Sequence, residues 1–503
     1  MRRRQLLRGL GLAAPGMGVL AGCETQANKT AATPGETPFL HGVASGDPLT
    51  DRVILWTRVS PTANANLGSV EVRWWVAQDA EGTEVISQGR QQTSSERDFT
   101  VKVDAAGLQP DQRYFYGFES LGWSSPVGRT RTLPAGDVEQ VRLAVTSCAN
   151  HPQGFFNAYG HIAQRDDLNA VLSLGDYLYE YANSDYGNGT ELGRVPEPNS
   201  EIVSLSDYRT RHGQYKQDPD LMAAHAAHPW IVTWDDHESA NNSWTDGAQN
   251  HDASEGNWAE RKAAAIRAYF EWMPVREVPT GLYRSFRFGQ LADLVMLDTR
   301  LEGRDEQGTQ EDLDTANDPT RTLLGPVQEQ RFFDHLSRLQ AEEVQWKVVG
   351  QQVVFAPWTD GSSSFNPDSW DGYRASRRRV LTHVTENAVQ DMVVLSGDVH
   401  SAWGMEIPDD AGVRRGLEFV APAVSSPPLA TSSPRLRELV ESAPARAPHI
   451  KYANGDHNGY LLVEFDRTQV AASWWFTGDV KQRDGQAVLS KTLTSTTGTH
   501  QLG

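Results

Sequence analysis

The chain has 503 residues, 39% hydrophobic and 22% charged, a globular balance long enough for two or more cores and unlike that of a disordered chain. A formal net charge of -19 argues against a nucleic acid polymer as partner, because such a surface gains nothing from counterion release at phosphates. Small phosphorylated substrates stay open, since a bound cation inverts the local field whatever the global charge.

Residues 1–23 read as an export address. Arg2-Arg3-Arg4-Gln5-Leu6-Leu7-Arg8 followed by the apolar run Gly9 to Leu20 resembles a twin-arginine signal, and the run is too short to span a bilayer as a permanent helix. Leu20-Ala21-Gly22-Cys23 resembles a bacterial lipobox, with Cys23 the lipid-modified first residue of the mature protein; a plain signal cut nearby is the alternative. The expectation is a monomer exported by the twin-arginine route to the periplasm or the outer face of the cell membrane, touching the membrane only through that lipid. Cys148 is then the single thiol left, so no internal disulfide forms. Such a thiol is either packed as a small hydrophobe or held by a metal.

Residues 24–38, rich in Thr, Ala, Gly and Pro, read as a tether. Residues 39–135 read as a β-sandwich: Val53, Leu55, Thr57 and Val59 alternate with Ile54, Trp56 and Arg58, and Val70, Val72, Trp74 and Val76 repeat the two-residue period. Gly107-Leu108-Gln109-Pro110 before Tyr114, Tyr116 and Phe118 resembles the corner of a fibronectin type III-like sandwich in which a tyrosine ties the turn. Leu133-Pro134-Ala135-Gly136-Asp137 is the expected hinge. Over 136–488, apolar strand-like runs alternate with amphipathic stretches such as Trp258 to Trp272 and Val327 to Leu339, an α/β layered pattern. Asn183 to Ser200 is expected as a long surface loop near the site, and 489–503, rich in Thr, Ser and Gly, as a tail.

Four of these apolar runs stop on metal-ligand chemistry. They end at Ser147-Cys148; at Gly175-Asp176-Tyr177-Leu178-Tyr179-Glu180; at Trp234-Asp235-Asp236-His237-Glu238; and at Ser396-Gly397-Asp398-Val399-His400. One such ending is ordinary turn or cap chemistry. Four in order, two of them with histidine, point to a polynuclear metal site on one sheet edge.

With Gly-Asp-x-x-Tyr, Asp-His-Glu and Gly-Asp-x-His in this order, the chain resembles the calcineurin-like metallophosphoesterases and, within them, the alkaline phosphatase D (PhoD-type) family. The segment His41 to Pro48, Val53-Ile54-Leu55-Trp56-Thr57-Arg58, Asn241-Asn242 and Leu297-Asp298-Thr299-Arg300 extend the resemblance over nearly the whole mature chain. It implies a layered αββα domain behind the sandwich. It also implies an exported phosphoester hydrolase in which a metal-bound hydroxide at an Fe(III) and Ca2+ centre releases phosphate from small mono- and diesters.

On that resemblance Cys148, Asp176, Tyr179 and His400 surround iron, with Asp176 bridging the two ions. Asp236 and Asp398 stand in the second site where relatives use Asn and His, and the strand Val348-Val349-Gly350-Gln351-Gln352 adds only amides. Oxygen donors without imidazole suit a hard cation such as calcium and disfavour zinc. His237 either contacts the substrate phosphate or protonates the leaving alkoxide. Asp235 is a ligand or a partner that fixes Asp236. Asn150 and Asn242 either coordinate calcium, bond phosphate or cap a turn; Arg209 and Arg300 are phosphate contacts or salt-bridged groups. The terminal helix that covers the site in the family is not expected from a Thr- and Ser-rich tail. A phospholipase D-like phosphodiesterase is the enzymatic alternative, and a lipid-anchored binding protein with a degenerate site the non-enzymatic one.

Overall fold

The computed structural model describes residues 37–60, 68–310, 312–358 and 366–503. The signal, Cys23 and nearly all of the tether lie outside these residues. Eight strands come first: β1 (Val43–Gly46), β2 (Arg52–Arg58), β3 (Val70–Ala77), β4 (Val85–Thr93), β5 (Thr100–Ala106), β6 (Arg113–Ser120), β7 (Trp123–Ser124) and β8 (Gly128–Arg131). The two-residue period puts Val53 and Leu55 of β2 and Val101 and Val103 of β5 into one core with Val72 and Val76 of β3 and Tyr116 and Phe118 of β6. The Gln109 N–H donates to the Tyr114 hydroxyl oxygen at 2.8 Å, the tie expected at the corner.

The remaining strands are β9 (Gln140–Thr146), β10 (Ala170–Ser173), β11 (Pro229–Val232), β12 (Ser243–Trp244), β13 (Gly247–Ala248), β14 (Arg284–Phe288), β15 (Ala292–Met296), β16 (Trp346–Gly350), β17 (Met392–Ser396), β18 (Ala402–Pro408), β19 (Arg414–Val420), β20 (Ile450–Asn454), β21 (Gly459–Asp466), β22 (Gln469–Thr477) and β23 (Ala487–Thr496). One sheet runs β23-β22-β21-β9-β10-β11-β1-β2-β5, a second β14-β15-β16-β17-β19-β18-β20. Parallel β10 and β11 are buried on both faces, which is why Ala170 to Leu172 and Pro229 to Val232 are apolar without a break, while neighbouring β9 is buried except at Gln140 and Arg142. Val145, Leu172, Ile231, Leu294, Val348, Leu395 and Leu461 fill the space between the sheets. Truncating such a side chain to alanine typically costs about 2–5 kcal/mol.

Helices close both outer faces. Tyr159, Tyr208, Tyr215, Ala265 and Tyr269 pack from helices Asn157–Ala163, Leu205–Lys216 and Trp258–Trp272 on the first sheet. Phe332, Leu336, Val380 and Val440 pack from Gly325–Ala341, Arg374–Glu386 and Pro434–Arg446 on the second. The result is the expected four-layer αββα arrangement.

The expected C-terminal boundary is corrected, and the boundary near residue 135 is bridged by sheet pairing. β1 pairs parallel with β11, Ser45 opposite Pro229 and Gly46 opposite Trp230, so one sheet of the sandwich continues into the larger sheet. The supposed hinge is built in: Leu133 is buried, and its N–H donates to the Leu49 carbonyl. Periodicity carries no information on a pairing between segments so distant in sequence. The boundary at 488 falls inside β23, and Leu493 and Leu502 are buried, so 489–503 is an edge strand and its return rather than a loose tail. Its threonines are strand formers.

Candidate metal centre

Cys148 follows β9, Asp176 follows β10, the pair Asp235-Asp236 follows β11, and Asp398 follows β17 of the facing sheet. Gly175 is required here: its φ is +102°, and a Cβ on it would stand 2.3 Å from the Asp235 nitrogen. The candidate ligands themselves sit in the left-handed region, with φ of 59° at Cys148, 53° at Asp176, 67° at Asp398 and 51° at His400. Such backbone costs of order 1–3 kcal/mol per residue and persists where the surrounding structure imposes it, typically at functional sites.

The donor atoms fall into three overlapping groups, each within 4.8 Å: Cys148, Asp176 and His400; Asp176, Asp236 and His237; Asp235, Asp236 and Asp398. Tyr179 belongs with the first group, since its hydroxyl donates to Asp176 Oδ2 at 2.9 Å and lies 3.1 Å from His400 Nε2. Ser426 Oγ donates to the same phenol oxygen at 2.7 Å. Asp176 is the carboxylate shared between the two halves. The Glu238 carboxylate accepts from the backbone N–H groups of Asp176, Tyr177 and Asp235 at 3.1, 2.7 and 2.9 Å, locking two strand ends together. Gln352 contributes no ligand because its amide is spent on Thr233, the Trp234 carbonyl and Thr299.

The electrostatics show a site with more acceptors than protein cations. Burial pushes the carboxyls of Asp176 and Asp398 well above the usual range, and that of Asp235 to about 7. Burial and the Asp176 charge push up the Cys148 thiol and the Tyr179 phenol. His400 falls to about 4 through burial and the neighbouring His237. For His237 burial works downward, but Asp236, Glu180 and Asp176 outweigh it and raise the imidazole well above its ordinary value. Burial likewise opposes ionisation of Asp236, yet Arg300 and His237 hold that carboxyl low. Asp176 Oδ1 and Asp235 Oδ2 are buried without a hydrogen-bond partner among the described residues. Free carboxylate oxygens in such a place suit cations, which remove the cost of burying them.

Not every expected residue joins the centre as expected. Arg209 is elsewhere: its fork holds Glu271 at 2.7 Å through two nitrogens and the Glu96 carbonyl at 2.7 Å. It faces away because its place on helix Leu205–Lys216 points it to the outer helix Trp258–Trp272. Arg300 is in the centre but is not free for phosphate; it binds Asp235, both oxygens of Asp368 at 2.8 and 2.9 Å and Asp398 at 3.1 Å. The Asn150 amide donates to the Tyr186 carbonyl at 3.0 Å, leaving an acceptor oxygen ill suited to phosphate. Asn242 reaches the centre through its backbone N–H, which donates to Asp236 Oδ2 at 2.7 Å, while its side-chain nitrogen bonds Gln249.

Four participants were not singled out from sequence. Glu180 Oε2 lies 2.7 Å from His237 Nδ1; its place directly after Tyr179 was the available signal. Glu238, next to His237, and Asp368, in a segment with no strand or motif, act through backbone N–H groups and Arg300. The Tyr186 hydroxyl lies 3.3 Å from His400 Nδ1, on the loop expected beside the site.

Two sheets that gather a thiol, a phenol, two imidazoles and four aspartates at one edge present the donor set of a metal-dependent hydrolase. The sequence profile of the PhoD-like phosphatases matches residues 143–474, that of the PhoD-like phosphatase N-terminal domain matches residues 23–134, and the chain belongs to this family. It is 38% identical over 486 residues to alkaline phosphatase D of Bacillus subtilis (strain 168), covering 91% of this chain and 81% of the relative. A solved structure of PhoD matches with a TM-score of 0.84 at 36% identity, over 94% of this chain and 93% of that one. The protein is therefore a phosphoric ester hydrolase, and its fold is that of its relatives.

Proposed function

We propose that the protein is an exported alkaline phosphatase and phosphodiesterase that works with a paired Fe(III) and Ca2+ centre on small phosphate mono- and diesters. The observation that carries the reading is Asp176, buried, shared by two donor groups and with one carboxylate oxygen free of hydrogen bonds. Cys148, Tyr179 and His400 would hold iron with it, because thiolate and phenolate are anionic donors that favour a trivalent ion. Asp236 and Asp398, with Asp235 beside them, offer the oxygen donors that calcium prefers. Asn242 is a rim group of that half. When bound, the two cations supply a water nucleophile at neutral pH and neutralise charge on the phosphoryl oxygens.

The chain's own contribution is orientation and proton delivery. Glu180 takes Nδ1 of His237, so Nε2 is the nitrogen left to serve the leaving alkoxide. Glu238 and Arg300 keep the carboxylates in register, and the ring of buried groups limits water at the reacting atoms. Export of an already folded protein by the twin-arginine route and a lipid at Cys23 suit a metal-loaded hydrolase, with the membrane touched only by that lipid and a monomer as the working unit. Mass spectrometry of the mature N-terminus tests the anchor.

The hydrolase reading is tested by assaying mono- and diesters before and after chelation. Activity on both, lost with the metals and restored by iron with calcium but not by zinc alone, is expected. Turnover indifferent to chelation contradicts it.

A further inference from the structure

Burial decides how a substrate reaches this centre. Cys148, Asp176, Tyr179, Asp235 and Asp236 are all buried, whereas Tyr181, Tyr186, Asn241 and Asn242 beside them are only partly so. The part of an ester that stays outside the metal-binding pocket must lie against this rim. Its two amides are already engaged: the Asn241 and Asn242 side-chain nitrogens both donate to Gln249 Oε1, at 2.7 and 2.9 Å. Of these four, that leaves the two phenol rings, which stand beside the partly exposed Asp398 and His400.

The rings form one wall with the reacting groups. Tyr186 lies nearly parallel to the His237 imidazole, 11° between planes and 6.3 Å between centroids, and 5.7 Å from the Tyr179 ring. Tyr181 stands 5.5 Å from Tyr186 and 5.6 Å from His237. Tyr186 is also fixed in place. Its carbonyl accepts from Asn150, its hydroxyl meets His400, and its turn is closed by the Ser184 N–H donating to the Gly187 carbonyl at 2.7 Å. A ring held this way loses little freedom when a second ring stacks on it.

We propose that Tyr186, assisted by Tyr181, selects phosphoesters whose leaving group carries a flat aromatic ring, an aryl alcohol or a nucleoside. The inference rests on the hydrolase reading and on His237 facing the leaving group. Stacking contributes beyond burial because aromatic faces and edges attract in offset and edge-to-face arrangements. A puckered ring of the same size gains less.

The test compares methyl diesters of benzyl alcohol and cyclohexylmethanol, alcohols of similar size and acidity that differ in flatness. The wild-type protein is expected to prefer the benzyl ester in kcat/KM. Tyr186→Leu should erase about a fivefold share of that preference. Tyr181→Leu should act in the same direction to a smaller extent, and Tyr186→Phe should keep it. Iron and calcium content is measured in each variant, so that a lost centre is not read as lost stacking. If Tyr186→Leu does not fold, competitive inhibition of the wild type by benzylphosphonate and cyclohexylmethylphosphonate decides, with tighter benzyl binding expected. Equal turnover, an unmoved ratio in a metal-loaded Tyr186→Leu protein, or equal inhibition overturns the inference and leaves the hydrolase reading intact. A wild-type protein that cleaves neither ester overturns both.

Discussion

Glu180 Oε2 lies 2.7 Å from His237 Nδ1, and both side chains are buried. The other oxygen of Glu180 accepts from the Asn241 N–H at 2.7 Å and the Asn250 side chain at 2.9 Å. The carboxylate is thus fixed from several directions, and the imidazole cannot turn without losing a charge-assisted hydrogen bond.

Glu180→Gln keeps the shape of this contact and removes its charge. The expected result is a fall in kcat of about 10- to 100-fold, smaller than loss of the acid itself, with KM and metal content nearly unchanged. Alkyl esters should suffer more than aryl esters, since a poor leaving group depends more on the proton. Steady-state kinetics on both classes check this; an equal loss on both contradicts proton delivery through His237.

Arg209 gives the opposite expectation. It pairs with Glu271, which keeps Arg267 at 3.0 Å when Arg209 is lost. Arg209→Ala should therefore leave kcat/KM within about twofold while lowering the urea midpoint, because the group acts on stability and not on phosphate. A large kinetic loss in a stable variant would restore it as a substrate contact.

Glu418 sets a pH dependence of stability away from the centre. It is fully buried, accepts from the Phe355 and Ala356 N–H groups at 2.8 and 2.6 Å and from Ser396 Oγ at 2.5 Å, and burial pushes its carboxyl from 4.5 to about 7. The folded-state value lies above the unfolded one, so its contribution is full below about pH 4.5 and is lost as pH rises through about 7, up to about 3 kcal/mol. Glu418→Gln lacks the titrating group. The stability advantage of wild type over this variant should be larger at pH 5 than at pH 8 in urea unfolding. An advantage that grows with pH would reverse the sign.

The tyrosine corner makes a simpler prediction. Tyr114 is buried and its oxygen accepts from the Gln109 N–H at 2.8 Å. Tyr114→Phe should destabilise by about 1–2 kcal/mol, read from the denaturant midpoint at constant m, with activity preserved.

What sequence revealed follows from what is local. Val393 to Leu395 announces a strand because it is buried on both faces, as does Val141 to Val145 apart from Arg142, and the ligand-type residues after these two strands and after β10 and β11 mark Cys148, Asp176, Asp236 and Asp398 directly. The pairing of β1 with β11 left no trace, because it joins segments far apart in the chain. The side to which Arg209 points depends on helix packing, and the role of Asp368 depends on Arg300 reaching it across the centre; neither has a periodicity. The C-terminal residues read as a tail because Leu493 and Leu502 are the only apolar side chains there that bury, too few to register as a strand pattern.

The proposed iron site lies at the edge where Cys148, Tyr179 and His400 meet Asp176. Anomalous diffraction on crystals of protein exported in folded form, recorded on both sides of the iron absorption edge, tests it most directly. An iron peak is expected among the sulfur of Cys148, the phenol oxygen of Tyr179 and the imidazole of His400, with a second, non-iron cation beside Asp236 and Asp398. A single zinc peak, or no edge-dependent density beside Cys148, would contradict it.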